Sequence, residues 1–281
     1  NLLLHVDGCI GGFVLPYLKR LGADIPDFDF SVPGVTSISM DLHKYAYTPK
    51  GASLVLYRNA DIRRHQIFSC AEWSGYSVVN PTVQSTKSGG PLAGAWAVLQ
   101  YVGDEGYLDM ARPLYEAQIA LTEGINSVPE LRVLGRPEMP LIAFTSDEVS
   151  VFHIADEMKE RGWYVQPQLA FAGSPASIHL TVAPANVQWV EALITDLKDS
   201  IAAAKLLPTG QIAPLVTAGL AGMKPSDINK EMVQNMMSMF GGGDGLPGRM
   251  ADVNEALNAM EPQIREQLLA LYVNQMFEAT S

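Results

Sequence analysis

Two short apolar runs end in polar, chemically capable side chains, and these constrain the chain more than any other feature. Residues 2–7 read Leu-Leu-Leu-His5-Val-Asp7 and pass directly into Gly8 and Cys9. Residues 35–40 are β-branched and apolar and leave through Asp41-Leu-His43-Lys44-Tyr45. Apolar runs of this length bounded by turn formers read as strands buried in a parallel sheet. In open α/β sheets the carboxyl ends of such strands are where ligands bind. A third apolar run, 53–57, lies close enough to the second to be its hairpin partner. The expected fold class is therefore α/β, with its chemistry at one sheet edge.

Composition narrows the field. Hydrophobic residues make up 48% of the 281 and charged residues 17%, which suits a folded chain with a sizeable core. With 19 basic and 30 acidic residues the formal charge is −11, which argues against nucleic acid or an anionic membrane as partner. No apolar run approaches the ~18 residues of a spanning helix. Two cysteines, Cys9 and Cys70, make no disulfide framework, so a reducing, cytoplasmic setting is the default. The chain opens at Asn1 inside an apparent strand, without Met or leader, and reads as a piece whose N-terminal part is missing.

Further along, residues 13–21 read as a helix interrupted by Pro16, and 73–88 as a long irregular loop of the kind that is usually functional. Helical patterns follow over 92–102 and 106–128, with Pro113 marking a kink or a start and a domain boundary expected at 103–106. The next part alternates. Strands are expected at 131–134, 141–144, 163–165 and 178–182, with helices at 149–161 and 187–206. The last seventy-odd residues read as a helical appendix: an Ala/Gly-rich stretch, a helix with Met232, Met236, Met237 and Met239, a glycine break at 241–245, and one amphipathic run over 252–277. Core packing or a dimer surface is the plain reading of the Met cluster. The expected domains are 1–105, 106–206 and 207–281.

A lysine at a strand end, beside a histidine and near a carboxylate, is suited to forming a Schiff base with an aldehyde cofactor. Pyridoxal 5'-phosphate (PLP) needs such a lysine and an acid against its pyridinium nitrogen. Asp7 and Lys44, 37 residues apart on successive strand ends, suit that demand. Taken singly, each has an ordinary explanation as a turn former or a solvated lysine.

The run from His5 through Phe13, then Gly34 through Tyr57, resembles the sphingosine-1-phosphate lyases of the group II PLP-dependent decarboxylase superfamily, fold type I. The likeness continues through Trp73, Pro81-Thr82, Gly89-Gly90, Ala95-Trp96 and Gly106-Tyr107, and more faintly to residues 177–181. The resemblance implies part of a fold type I large domain with a mainly parallel sheet, a small C-terminal α/β domain and the appendix beyond it. It makes Lys44 the Schiff-base lysine and Asp7 the partner of the pyridinium nitrogen. It sets His43 beside the cofactor and Cys9 against its ring. Lys50 and Lys87 become candidates for a substrate phosphate or carboxylate. Tyr45 and Tyr47 are candidates for proton transfer, with core packing equally open, and His179 reads as a structural histidine. Lys87 stands where such lyases commonly carry arginine, and that exchange is not conservative at a bidentate anion contact. The resemblance implies that the N-terminal half, which supplies the phosphate cradle and the other ring-stacking residue, is not in the chain, so about half a cofactor site and weak or no cofactor binding are expected.

The implied function is a homodimeric, PLP-dependent carbon–carbon lyase that cleaves a phosphorylated long-chain amino alcohol to a fatty aldehyde and phosphoethanolamine. An amino-acid decarboxylase sharing Asp7, His43 and Lys44 is the first alternative. A truncated or non-catalytic partner chain is the second. No metal site is expected.

Overall fold

The computed structural model describes residues 2–84, 86–208, 210, 212–240 and 247–278. The described chain divides into two compact units. The first comprises 1–119 with 138–140 and 182–187; the second comprises 120–137, 141–181 and 188–281.

The first unit begins with β1 (Leu4–Asp7), α1 (Gly11–Arg20), β2 (Val35–Asp41) and β3 (Ser53–Tyr57). β1 pairs parallel with β2, and β2 antiparallel with β3, in a three-stranded sheet. The expected hairpin of β2 and β3 is present, with Asp41 opposite Ser53. β1 is not buried as expected: Leu4 is 47% exposed, because this edge strand has a neighbour on one side only. α1 runs through Pro16 without ending there.

After the short helix α2 (Ala60–Arg63), β4 (Phe68–Cys70) and β5 (Val78–Asn80) pair antiparallel. The expected long loop at 73–88 thus holds one strand, β5, which pairs back on β4 just before the loop. α3 (Gly89–Asn126) follows. Its break falls at Gly103, whose φ of 65° is open to glycine, and not at Pro113.

The second unit holds an antiparallel four-stranded sheet in the order β6-β7-β9-β8: β6 (Leu131–Val133), β7 (Leu141–Ser146), β8 (Gln166–Gln168) and β9 (Ser177–Thr181). The strand expected at 163–165 lies instead at 166–168, after a Met158–Trp163 turn built on Gly162 at φ 85°. Helices α4 (Val151–Glu160) and α5 (Val190–Ala204) complete this α/β layer.

Four helices follow: α6 (Ile212–Gly219), α7 (Lys230–Met239), α8 (Ala251–Ala259) and α9 (Pro262–Met276). The single run expected over 252–277 is two helices. Pro262 cannot donate the next backbone bond and holds Glu261 extended (ψ 137°), so α8 ends and α9 begins there. Val216, Ile228, Val233, Met260, Ile264 and Leu268 form their core, with Met232 and Met236 packed against it. The Met cluster is core packing for these residues, and the glycine break at 241–245 lies outside the described residues.

One buried carboxylate ties α8 to α4. Asp156, 5% exposed on α4, accepts the Met250 and Ala251 amides at 2.9 and 2.8 Å and so caps α8 from another helix. α8 has no side-chain cap of its own. Unpaired amides at a helix start favour an anion, and bonds to a charged acceptor contribute about 1.5–3 kcal/mol each. Asp156→Ala is expected to destabilise the chain by about 2–3 kcal/mol, read as a lower urea midpoint at unchanged slope.

Candidate active site

Parallel pairing of β1 with β2 aligns the polar positions of both strands. His5 faces Ser37 and Asp7 faces Ser39 in the register. The side chains follow, with His5 Nδ1 2.8 Å from Ser37 Oγ and the Ser39 hydroxyl donating to Asp7 Oδ1 at 3.0 Å. One step on, the Asp41 amide donates to the Cys9 carbonyl at 3.1 Å. Gly8 permits this closeness, because a Cβ there would meet the Ser39 carbonyl at 2.9 Å.

Asp7 is held as a carboxylate. The Cys9 amide, donating at 3.0 Å, and the Ser39 hydroxyl keep its carboxyl below the usual range. Ser39 was not singled out by sequence reasoning. The signal was the alternation Ser37, Ser39, Asp41 on one face of β2, matching His5, Asp7 and Cys9 across the pair.

Lys44 sits in the connection between β2 and β3. Its Nζ donates to Asp41 Oδ2 at 2.9 Å and to Cys9 Sγ at 3.2 Å. Asp41 first and Cys9 second raise Lys44 above an ordinary lysine. Asp41 is itself kept ionised, chiefly by Ser53 and also by Lys44. Cys9, half-buried, touches both halves of the site: its amide binds Asp7 and its sulfur contacts Lys44. His43 sets its Nδ1 3.0 Å from the Ala52 carbonyl, an acceptor, so Nδ1 carries the proton. Nε2 is then left 3.9 Å from Asp41 Oδ2.

The loop bearing Lys44 is a fixed pedestal. Leu42, Ala46 and Ala52 are buried with Ala95 and Tyr107, and the Tyr107 hydroxyl donates to the Ala46 carbonyl at 2.8 Å. Tyr45, a candidate for proton transfer, is part of this support. It is 5% exposed, and its hydroxyl lies 3.0 and 3.1 Å from the Val182 and Pro140 carbonyls. Burial raises its phenol well above the ordinary value, which further removes it from acid–base work. Tyr47 adopts φ 54°, a conformation costly for a bulky residue, and its buried hydroxyl has no partner.

Lys50 and Lys87 are exposed and make no ion pair among the described residues. The turn carrying Lys50 packs on the first turns of α3: a Cβ on Gly94 would meet Pro49 at 2.9 Å, and one on Gly51 would meet Pro91 at 3.4 Å. Lys87 lies just before α3 in the chain. Both lysines therefore belong to the region of one helix N-terminus, which favours anions. His179, on β9, has its Nδ1 3.3 Å from Gln168 Nε2 and belongs to the other unit.

The chain is similar to known proteins over most of its length. It is 41% identical over 245 residues to the sphingosine-1-phosphate lyase of Arabidopsis thaliana, which covers 85% of this chain and 44% of the relative. A solved sphingosine-1-phosphate lyase from Burkholderia pseudomallei is 40% identical, with a TM-score of 0.68 over 73% of this chain and 46% of that one. Glutamate decarboxylase of Lactobacillus brevis, at 19% identity and a TM-score of 0.62 over 74% of this chain and 48% of that one, shares the fold. Residues 214–275 match the family described as pyridoxal-dependent enzyme, C-terminal putative HTH domain. Fold and likeness together give the architecture of the fold type I, PLP-dependent enzymes. The chain is similar to sphingosine-1-phosphate lyases over about 85% of its own length, and it spans about half the length of the curated relatives it matches.

The residues present fit PLP. An ionised carboxylate and an amine lie either side of one small residue at a strand end, which is the donor set the cofactor requires.

Two outcomes test the assignment of parts. Tyr45→Phe should lower stability by about 1–2 kcal/mol in thermal unfolding, yet leave the pH profile of activity unchanged. Ser39→Ala removes one of the bonds that hold Asp7 down. Its carboxyl then titrates higher, so the acid limb of kcat/KM should move to higher pH.

Proposed function

We propose that this chain supplies the lysine-bearing part of the active site of a PLP-dependent lyase. The reaction is cleavage of a carbon–carbon bond in a phosphorylated long-chain amino alcohol, giving a fatty aldehyde and phosphoethanolamine. The observation that carries this reading is the shared contact of Asp7 and Lys44 with Cys9, in a chain 41% identical to a sphingosine-1-phosphate lyase.

Bound PLP supplies an electron sink conjugated to the substrate amine. Lys44 would hold it covalently through Nζ, with Asp7 against the ring nitrogen, Cys9 against the ring and His43 beside it. Asp7, kept ionised by the Cys9 amide and Ser39, favours a protonated ring nitrogen. When not bonded to the cofactor, Lys44 would present a free Nζ from its packed loop. Asp41, 2.9 Å from Nζ, favours its ammonium form, so Lys44 is suited to deliver a proton to the carbon left after cleavage.

Lys50 and Lys87 attract the substrate phosphate towards the start of α3. Holding the phosphate orients the chain of the substrate, and that orientation decides which bond breaks. Tyr45 takes no proton-transfer role in this scheme and acts as a positioning residue. The same reading carries a homodimer and a cytoplasmic setting. Two unpaired cysteines support the latter, and among the described residues no helix is long and apolar enough to cross a membrane.

Borohydride treatment of the PLP-loaded protein should leave a phosphopyridoxyl label on Lys44, absent from Lys44→Ala. Incubated with a phosphorylated sphingoid base, the enzyme whose lysine-bearing part this chain supplies should release aldehyde and no carbon dioxide. Carbon dioxide from an amino acid, without aldehyde, would establish the decarboxylase instead. Lys50→Ala should raise KM for the phosphorylated substrate by about 10–100-fold, the loss of one charge-assisted contact, with little effect on kcat.

A further inference from the structure

A second polar cluster lies in the other unit. His153 sits near the start of α4 and is 6% exposed. Neither of its ring nitrogens has a hydrogen-bond partner. Its Nε2 lies 3.5 Å from Glu255 Oε1, within ion-pair range but without a hydrogen bond. Glu255 and Asp252 are three residues apart on α8 and so present carboxylates to one side of that helix. One donor atom from each of His153, Asp252 and Glu255 lies within 4.8 Å of the other two.

A buried imidazole with no hydrogen bond is costly. The acidic groups gathered at it are the Asp252 and Glu255 carboxylates, and neither is hydrogen-bonded to it. Such a set, one imidazole nitrogen with two carboxylate oxygens, is what a borderline divalent metal takes. Hard cations such as calcium and magnesium prefer all-oxygen sites and gain nothing from His153.

We propose that His153, Asp252 and Glu255 bind one divalent transition-metal ion, with zinc the best match, and that the ion clamps α8 to α4. Metal–ligand bonds of roughly 2.0–2.2 Å require the donors to close in, and Asp252, on the exposed side of α8, is free to turn towards the other two. Glu255 is already oriented: the Ser150 hydroxyl donates to its Oε1 at 2.7 Å, the kind of outer bond that steers a metal-ligating carboxylate. Three protein donors leave a position for water. The site lies on the same pair of helices as the Asp156 cap, so ion and cap act on one contact. Its role is structural, and it does not rest on the proposed lyase reaction.

The test uses the whole chain, stripped with chelator and then titrated with zinc or cobalt(II) alone. One equivalent of zinc should bind and raise the thermal midpoint. Cobalt(II) should give visible bands of a low-coordinate nitrogen–oxygen site. Asp252→Asn, an exposed change with no packing role, and His153→Ala should each weaken binding at least tenfold and abolish the midpoint rise. If His153→Ala does not fold, the Asp252→Asn comparison decides alone. No stoichiometric uptake, or uptake unchanged in Asp252→Asn, would overturn the proposal.

Discussion

The parallel pairing of β1 with β2 is the constraint on which the candidate site depends. Side chains alternate along a strand, so a slip of one residue would turn His5, Asp7 and Cys9 to the opposite face from Ser37, Ser39 and Asp41. In the observed register Asp7 receives a hydroxyl from β2 and an amide from its own turn. Cys9 is thereby brought against Lys44, which follows the matching C-terminal end of β2. Gly8 is the local condition, since any side chain there would collide with the Ser39 carbonyl and push the strands apart.

The second requirement is a stationary lysine. A long, flexible side chain on a mobile loop would lose rotational freedom on attaching to anything, and that cost would fall on the site. The connection from β2 to β3 avoids it by burying Leu42, Tyr45 and Ala46 on either side of Lys44. Tyr45 and Tyr107 spend their hydroxyls on backbone carbonyls to do so. The strain at Tyr47, held at φ 54° within this packed loop, is the conformational cost of that closure.

Strand ends were legible in the sequence because they rest on local pattern: an apolar run, then a carboxylate or a lysine. Asp7, His43, Lys44 and Cys9 could be named that way. Ser39 and Asp41 as partners could not, because their roles depend on register, and register depends on which strand lies beside which. Tyr45 misled for the same reason. A tyrosine next to a lysine reads as chemistry until Pro140 and Val182, distant in sequence, are seen to take its hydroxyl. Pro262 was visible, and the amphipathic pattern on either side of it hid the break between α8 and α9. Asp156 gave no local signal, since it caps a helix some ninety residues further along the chain. The matched HTH-type segment carries more acidic than basic residues, so its helices lack the cationic surface that phosphate backbones require. Their shared apolar core, and the contact of α8 with α4, account for how they fold.

The net charge of −11 need not oppose an anionic substrate. At physiological salt, charges separated by more than about 8 Å are largely screened, so only the nearest groups matter. Asp41, which touches Lys44, and Asp7, which shares Cys9 with it, already accept hydrogen bonds from Cys9, Ser39, Ser53 and Lys44. Lys50 and Lys87 are not committed among the described residues, and they lie by the electropositive end of α3. An excess of acid elsewhere then serves solubility, while the local field at the start of α3 stays positive.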